Sequence, residues 1–300
     1  MQGEEEDLDG VIVVDKPEGW TSHDVVGKMR RIVKTKRIGH LGTLDPIATG
    51  VLPLVVERAT RLAQFYTRSD KVYEGVVRFG WSTSSYDRAG EPTSTPSPVR
   101  FGVEELERHL EKFRGAFLQT PPAVSAKKVD GRRAYELARQ SVAVELEPVQ
   151  VHVYELALLD WNGTDARLRA HCSGGTYLRS IAHDLGQSLG CGAYLLELRR
   201  TSSGEFGVAQ SRTIEQFEAL AAEDRLVDAI VPMSMLLPAI PNVLVDDLTV
   251  TQIRHGRDFQ ASPFRSQPGS RYVKAVTRSG DLVAIGEAVL PNLYHPVVVL

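Results

Sequence analysis

The run at residues 39–53, GHLGTLDPIATGVLP, is the feature that most constrains how this 300-residue chain can fold. Glycine adopts backbone conformations closed to other residues, and proline lacks the N–H that helix interiors and central strands need. The run therefore predicts a stiff, irregular loop and neither a long helix nor a central strand. Pro46 keeps Asp45 out of the α region. The loop thus displays one carboxylate on an irregular segment, which suits a catalytic group. The alternative is an Asp-Pro turn in which Asp45 accepts a backbone N–H.

Positive charge gathers directly before this run. The basic residues between positions 28 and 37, with no acid among them, are Lys28, Arg30, Arg31, Lys34, Lys36 and Arg37, although the whole chain has a formal net charge of −3. Charge that is local in this way is expected where one protein face meets phosphates. The alternative is a solvated helix face. Further basic clusters are Lys127, Lys128, Arg132 and Arg133 and, later, Arg199 and Arg200.

Composition narrows the class of protein. A hydrophobic fraction of 42% suffices for a packed core, and no apolar stretch reaches the ~18 residues of a spanning helix. Residues 1–9 are acidic and lack the pattern of an export signal, so we expect a short disordered lead-in. The two cysteines, Cys172 and Cys191, form no C-x-x-C pair, which predicts reduced thiols in a cytoplasmic protein. We expect neither membrane association nor oligomerisation, so a monomer.

Metal and cofactor motifs do not occur. The eight histidines include no H-x-x-H or H-x-x-x-H pair, and no phosphate-binding G-x-x-x-x-G-K-[ST] loop is present. No G-x-G-x-x-G follows a predicted strand. The sequence therefore predicts a reaction that needs no metal and no cofactor.

Local patterns predict mixed secondary structure in the first half of the chain. Residues 10–15 are rich in β-formers, and 21–24 have the sequence of a capping box ahead of apolar residues at helical spacing. Residues 58–66 and 103–113 are predicted helices, and residues 73–79 are a predicted strand. Residues 81–100 and 115–133 are predicted loops, the second a long functional one.

The second half is also mixed. Alternating apolar residues predict strands at 149–153 and 166–172, with Asn162-Gly163 as a hairpin turn. A four-residue apolar spacing from Tyr177 to Leu189 predicts a helix. Beyond the proline-rich 232–241 lies a small module with strands at 242–246, 272–276, 282–289 and 297–300 and one helix at 249–255. Hairpins without regular βαβ units indicate the α+β class.

Five motifs, in order, carry a resemblance to a known family. They are VVDKPEGWTS at 13–22, the 39–53 run, KVY at 71–73, QTPPAVSAK at 119–127 and CSGGTYLR at 172–179. They resemble the DKPxGxTS, GHxGTLDPxATGVLP, KxY, QxPPxxSAxK and CSxGTYxR motifs of the TruB-type tRNA pseudouridine synthases, which convert uridine 55 in the T-loop of tRNA to pseudouridine. The resemblance extends from about Gly10 to the C-terminus.

The resemblance implies a fold, a substrate and a domain division. The expected core is a mixed, mainly antiparallel sheet with flanking helices, covering residues 10–238. Residues 239–300 would form a PUA-like RNA-binding domain. The implied substrate is the T-arm stem-loop of tRNA, modified without an obligatory protein partner, and the target nucleotide would be flipped out of its stack.

The resemblance also assigns roles to individual residues. Asp45 would be the catalytic aspartate, Arg179 its cationic partner, and Tyr73 the aromatic that packs on the target base and acts in the final deprotonation at C5. From the residues alone, Arg179 is better explained as a solvated helix arginine and Tyr73 as an aromatic that fills the core.

Further residues would bind the substrate or support the site. His40 would lie near the displaced nucleotide, Lys16 would support the cleft, and Leu198 would contact the base; a loop histidine, a turn lysine and a core leucine are the alternatives. The basic residues expected to meet phosphates are Arg30, Arg31, Lys34, Lys127, Arg199 and Arg200.

Some positions depart from the family pattern. Ser84 or Ser85 takes a position where the family pattern has a different polar residue. Val124 stands where tyrosine is usual. His183 precedes Asp184 where an acidic pair is common. Three other functions stay open: a guide-RNA-dependent synthase of the dyskerin type, a non-catalytic RNA-binding or tRNA-folding protein, and, remotely, a glycoside hydrolase, which needs a second catalytic carboxylate.

Overall fold

The computed structural model describes residues 8–122, 146–261 and 270–300, together with the backbone of 128–129 and 132–133. Its α-helices are α1 (Ser22–Ile32), α2 (Val103–Leu110), α3 (Leu178–Ser188), α4 (Ile214–Ala222) and α5 (Asp247–Arg254). The 3₁₀ segments are Glu57–Tyr66, Glu111–Phe113, Val208–Gln210, Leu226–Ala229 and Met233–Met235.

The strands of the first half are β1 (Gly10–Lys16), β2 (Ile38–His40), β3 (Ala48–Val56), β4 (Lys71–Phe79), β5 (Gly115–Gln119), β6 (Lys128–Val129) and β7 (Arg132–Arg133). Those that follow are β8 (Val149–Trp161), β9 (Asp165–Cys172), β10 (Ala193–Ser203), β11 (Phe206–Gly207) and β12 (Ile230–Pro232). The C-terminal strands are β13 (Asn242–Leu244), β14 (Phe259–Gln260), β15 (Tyr272–Val276), β16 (Leu282–Leu290) and β17 (Leu293–Val299).

A ten-stranded sheet forms the larger part of the molecule. Its order is β12-β1-β3-β10-β4-β9-β8-β5, with β2 added to β3 and β11 to β10. Every pairing is antiparallel except that of β3 with β10. The C-terminal strands form a separate sheet in the order β13-β15-β16-β17-β14, and β6 pairs with β7. The expected α+β class with a mainly antiparallel core sheet is confirmed.

Two apolar cores lie on opposite faces of the large sheet. Along β1, Ile12 and Val14 pack into the core formed with α1, α2, α3 and α4. The intervening Val11 and Val13 pack with the 3₁₀ segment Glu57–Tyr66 and with apolar residues of β15, β16 and β17. Because strand side chains alternate between faces, β1 contributes to both cores. The C-terminal sheet is thus docked on the face opposite the helices.

The prediction for residues 39–53 is wrong in its second half. Ala48–Val56 is a strand inside the sheet, paired along its length with β1. The other edge of β3 has two partner strands: β10 pairs with residues 48–50, and β2 pairs with residues 54–56. Pro53 lies in the gap between these partners, where its missing N–H costs no ladder hydrogen bond. The proline is tolerated because the neighbouring strands are interrupted there.

Other elements differ from expectation in kind or extent. Residues 115–119 belong to the predicted 115–133 loop, yet they form edge strand β5 beside β8. The predicted helix at 58–66 is a 3₁₀ segment, and that at 103–113 turns into 3₁₀ geometry after Leu110. The capping box at Thr21 and the hairpin at Asn162-Gly163 are both confirmed.

Candidate active site

A short loop between β2 and β3 carries Asp45. Its main chain is fixed by the first residue of α1: the Ser22 hydroxyl accepts from the Leu44 N–H at 2.8 Å and donates to the Leu44 carbonyl at 3.1 Å. The Ala48 N–H donates to the Asp45 carbonyl at 3.0 Å. The Asp45 side chain stays 34% exposed. The carboxylate therefore sits on a fixed backbone and remains accessible to a ligand.

Lys16 holds the same loop from the end of β1. The side chain is fully buried, and its ammonium group donates to the carbonyls of Trp20 at 2.6 Å, Pro17 at 2.8 Å and Pro46 at 3.4 Å. Burial lowers the pKa of Lys16 to about 8, against the opposing effect of the negative charge of Asp45. Lys16 thus holds the main chain of the loop from a fully buried position, and its expected support of a substrate cleft stays a prediction.

Arg200 is a second buried cation beneath the loop. Its guanidinium donates to the carbonyls of Val51 at 2.7 Å, Gly42 at 3.1 Å and Thr43 at 3.4 Å. Arg200 has no exposed surface, so the phosphate contact predicted for it is wrong for this structure. The physical reason is its position: Arg200 faces inward from a central strand, and bonds to main-chain carbonyls replace its hydration.

Arg179 forms a two-pronged ion pair with Asp45. Nε lies 2.9 Å from Oδ2 and Nη2 lies 3.1 Å from Oδ1, the parallel geometry that suits guanidinium and carboxylate. Arg179 is only 3% exposed, in the first turn of α3. Nη1 also donates to the Ser85 carbonyl at 3.0 Å. The solvated-arginine alternative therefore does not apply, and the guanidinium orients the carboxylate.

Asp87 brings a second carboxylate to Arg179, and the sequence did not single it out as a site residue. Its Oδ2 lies 3.7 Å from Arg179 Nε, and the side chain is 8% exposed. Asp87 Oδ1 accepts from the Ser85 hydroxyl at 2.5 Å and from the Ala89 N–H at 3.0 Å. The only signal was that Asp87 and Gly90 keep the family spacing in an otherwise divergent segment.

Tyr73 and Leu198 lie on the neighbouring strands β4 and β10. Tyr73 is opposite Arg200, and Leu198 is opposite Gly75. Each is 8% exposed. Gly75 leaves room for Leu198, since a Cβ there would lie 3.2 Å from Leu198 Cδ1. Burial raises the pKa of Tyr73, so its phenol is held in the neutral form.

His40 is the last residue of β2 and is exposed. Its Nδ1 accepts from the Gly42 N–H at 3.4 Å. The structure thus places an exposed ring on the chain segment that leads to Asp45. Its expected contact with a displaced nucleotide stays a prediction.

The basic residues fall into different environments. Arg31 and Lys34 are exposed, whereas Arg30 is half-buried and donates to the Ile38 carbonyl at 3.3 Å. Arg199 pairs with Asp15 through two contacts, of 2.7 and 3.0 Å. Lys127 lies outside the described residues, as does Val124. A phosphate contact is therefore best supported at Arg31 and Lys34, while one at Arg199 would compete with Asp15.

In the residues that the structure describes, no group of three or more His, Cys, Asp or Glu side chains is placed to hold a metal ion. Within the same residues, no helix combines the length and apolar character that crossing a membrane requires.

A mainly antiparallel sheet that presents a loop-borne carboxylate against a buried arginine is the arrangement that the motif resemblance implies for the RNA pseudouridine synthases. The model of the TruB family pseudouridylate synthase N-terminal domain matches residues 30–178, and that of the tRNA pseudouridylate synthase B C-terminal domain matches residues 179–238. This chain belongs to the TruB family. The resemblance drawn from the motifs is confirmed.

Individual relatives agree with this membership. The tRNA pseudouridine synthase B of Solibacter usitatus (strain Ellin6076) is 76% identical over 293 residues, which cover 98% of this chain and all of that protein. The synthase of the same name from Aquifex aeolicus (strain VF5) is 41% identical over 83% of this chain and 86% of its own length.

Solved structures show the same fold. A chain from an H/ACA ribonucleoprotein bound to a substrate RNA containing 2′-deoxyuridine superimposes with a TM-score of 0.72 at 26% identity, over 98% of this chain and 85% of that chain. A chain from a Cbf5-Nop10-Gar1 complex superimposes with a TM-score of 0.71 at 28% identity, over 95% of this chain and 80% of that chain.

Proposed function

We propose that this protein is a tRNA pseudouridine-55 synthase that isomerises the T-loop uridine of tRNA with Asp45 as its catalytic carboxylate. The observation that carries the proposal is the Asp45–Arg179 ion pair, which holds a partly exposed carboxylate in a fixed orientation. Membership of the TruB family and relatives named tRNA pseudouridine synthase B support the substrate and the reaction.

The reaction is an isomerisation. The C1′–N1 glycosidic bond breaks, the uracil turns, a C1′–C5 bond forms, and C5 loses its proton while N1 gains one. Nothing is oxidised or reduced, so the chemistry itself requires no redox cofactor. An ionised Asp45 can act in this isomerisation in one of three ways: it attacks the sugar, attacks the base, or removes a proton from C2′. Each requires direct contact with the target nucleotide.

Contact with Asp45 requires the uridine to leave its stack. A nucleotide turned out of a folded loop loses a few kcal/mol of stacking and pairing. Tyr73 and Leu198 belong to the apolar core and are each 8% exposed, so in this proposal the base packs against the small part of each side chain that is exposed. The ring of His40, exposed at the end of strand β2, can stack in the gap that the uridine leaves or on bases of the disturbed loop.

Tyr73 is better suited to stacking than to proton abstraction. Proton removal from C5 is easiest for an ionised phenolate, and burial raises the pKa of Tyr73. The neutral phenol keeps its π-face and its hydroxyl, which suffice to pack against a base. Tyr73 therefore supports the base, and C5 deprotonation by a phenolate is disfavoured.

We further propose that the enzyme acts alone, in the cytoplasm, on tRNA. A guide-RNA-dependent function is favoured by one finding, the structural similarity to chains from H/ACA and Cbf5 complexes. The 76% identity to a tRNA pseudouridine synthase B over nearly the whole chain outweighs it. In this proposal residues 10–238 catalyse and residues 239–300 form a PUA-like RNA-binding domain. A tRNA-folding role can accompany catalysis.

The decisive experiment uses the purified protein and a tRNA transcript labelled with tritium at C5 of uridine. We expect tritium release without any guide RNA or protein partner, with carbodiimide mapping placing the product at position 55. Asp45→Asn keeps the size and polarity of the side chain but removes its charge. It should abolish release while tRNA binding persists. Turnover by Asp45→Asn would exclude Asp45 as the catalytic group, and wild-type activity only with a guide RNA would favour the alternative.

A further inference from the structure

Arg179 and His183 lie one turn apart on α3, so their side chains share one helix face. Successive residues of the 82–91 loop dock on this face. The Ser85 carbonyl accepts from Arg179 Nη1, and the Asp87 carboxylate lies 3.7 Å from Arg179 Nε. The ring of Tyr86, between them, stacks on His183 with centroids 3.8 Å apart and planes 13° from parallel.

Tyr86 adopts a backbone conformation that its side chain disfavours. Its φ is +63°, in the left-handed region that glycine occupies without cost. Such a residue persists only where its surroundings over-determine it. The Tyr86 N–H donates to the Thr83 carbonyl at 3.2 Å, and the Leu195 N–H donates to the Tyr86 carbonyl at 2.9 Å. The stack on His183 adds a side-chain contact to these bonds.

The imidazole of His183 contributes a ring face to the contact with Tyr86. Its Nδ1 is buried without a hydrogen-bond partner among the described residues. Burial also lowers the pKa of His183, which favours the neutral ring over a second cation beside Arg179. Aromatic pairing and left-handed backbone strain are similar in size. The stack therefore offsets a strain of similar size at residue 86, beside the backbone bonds to Thr83 and Leu195.

We propose that His183 is a positioning residue: by stacking on Tyr86 it holds Ser85 and Asp87 against Arg179 and so fixes the guanidinium that orients Asp45. The kinetic consequence rests on the proposed function. The structural consequence, an ordered Arg179 side chain, does not.

The test compares His183→Ala, which removes the ring, with His183→Phe, which keeps a ring without imidazole nitrogens. The control is His152→Ala, which removes another stacked His–Tyr pair, His152 on Tyr154 at 4.5 Å, from β8. Nuclear magnetic resonance of labelled arginine follows the Nε–H of Arg179, whose hydrogen bond to Asp45 should slow its exchange with water. We expect faster exchange in His183→Ala and wild-type exchange in His183→Phe and His152→Ala.

The kinetic arm uses the tritium-release assay. We expect His183→Ala to lower kcat by about 5- to 10-fold, the effect of losing one aromatic pair, with KM little changed. His183→Phe should restore kcat. Tyr86→Ala removes the ring but keeps the Cβ that strains the positive φ, so it should match His183→Ala, and the double variant should be no slower than either single one.

Several outcomes would overturn the proposal. Wild-type Arg179 exchange in His183→Ala would do so whether or not the protein modifies tRNA. So would equal losses in His183→Phe and His183→Ala, or fully additive losses in the double variant. Circular dichroism and thermal unfolding check that each variant is folded; should His183→Ala fail to fold, Tyr86→Ala carries the same comparison. Absence of tritium release from the wild type would count against the proposed function and leave the Arg179 exchange measurement decisive.

Discussion

Arg199 and Arg200 are successive residues of β10 whose guanidinium groups have opposite surroundings. Arg199 pairs with Asp15 and is 39% exposed, whereas Arg200 is fully buried under the Asp45 loop. Strand side chains alternate between faces, so an Arg-Arg pair on a central strand must send one guanidinium inward. The sequence suggested one phosphate-binding cluster because β10 was not predicted as a strand. The assignment of that strand changes the role of Arg200.

Replacement of each arginine by methionine should separate these roles. Arg200→Met leaves three carbonyls without their donor and should lower the free energy of unfolding by about 2–4 kcal/mol. It should also reduce activity, because the Asp45 loop loses its support. Arg199→Met breaks a partly exposed ion pair and should cost at most about 1 kcal/mol. Urea unfolding of both variants provides the comparison. Equal losses would contradict the structural role given to Arg200.

Lys16 should impose a pH dependence on stability. Its pKa is lowered from 10.5 to about 8 in the folded protein. Below pH 8 both the folded and the unfolded state are protonated, and the folded state bears the full cost of burying the cation. Between pH 8 and 10.5 the unfolded state binds more protons, so stability rises with pH.

The measurement is the difference in unfolding free energy between the wild type and Lys16→Met. Other groups titrate alike in both proteins, Lys71 with its similarly lowered pKa among them. The difference should move in favour of the wild type by up to about 3 kcal/mol between pH 8 and pH 10.5. A difference that stays flat across this range would show that Lys16 is solvated in solution.

At the scale of elements, local sequence signals predicted the elements that depend on local interactions. Helix α1 follows from a capping box and helical spacing, and the β8–β9 hairpin follows from its Asn-Gly turn. Strands β3, β5 and β10 were missed or mistaken for loops, because their partners determine them. β3 contains Gly50 and Pro53, which local propensity assigns to a loop. Non-local pairing overrides that preference.

Gly50 shows why glycine is required inside β3. Its φ is +99°, and a Cβ there would lie 2.2 Å from the Arg200 carbonyl oxygen. Gly50→Ala should therefore destabilise the protein by about 3 kcal/mol, from backbone strain plus displacement of β10. The control is Gly163→Ala in the hairpin turn, where φ is +96° and a Cβ meets nothing within 4 Å. Strain alone should cost about 1 kcal/mol there. Equal thermal shifts would refute the close approach of β3 and β10.

At the scale of the whole molecule, the site joins residues that are remote in sequence. Asp45 and Arg179 are 134 positions apart, and no periodicity or spacing predicts such a contact. The family resemblance suggested the pair, whereas the residues alone favoured an exposed arginine. No sequence pattern predicted how the C-terminal sheet packs on the large sheet either. The C-terminal sheet shares an apolar core with the large sheet, and its Lys274 donates to the Leu236 carbonyl at 2.8 Å.

The distribution of charge is also a property of the whole molecule. A net charge of −3 would disfavour RNA binding, so any such binding must depend on a local basic surface. In the described part of the chain Arg31 and Lys34 are exposed and have no ion-pair partner, whereas Arg30 is half-buried against the Ile38 carbonyl. Of these three residues, the structure favours the exposed pair for phosphate contact.

Arg31→Gln and Lys34→Gln remove charge while keeping a polar side chain at each position. If each residue neutralises one phosphate, the double variant should bind tRNA more weakly and lower the slope of log affinity against log salt by about 2. Arg225→Gln is the control, because Arg225 is exposed but already paired with Glu223 and Asp228. It should leave the slope unchanged, as the two carboxylates already balance its charge. Filter binding across a salt series gives both slopes, and an unchanged slope in the double variant would show that the exposed basic surface is merely solvated.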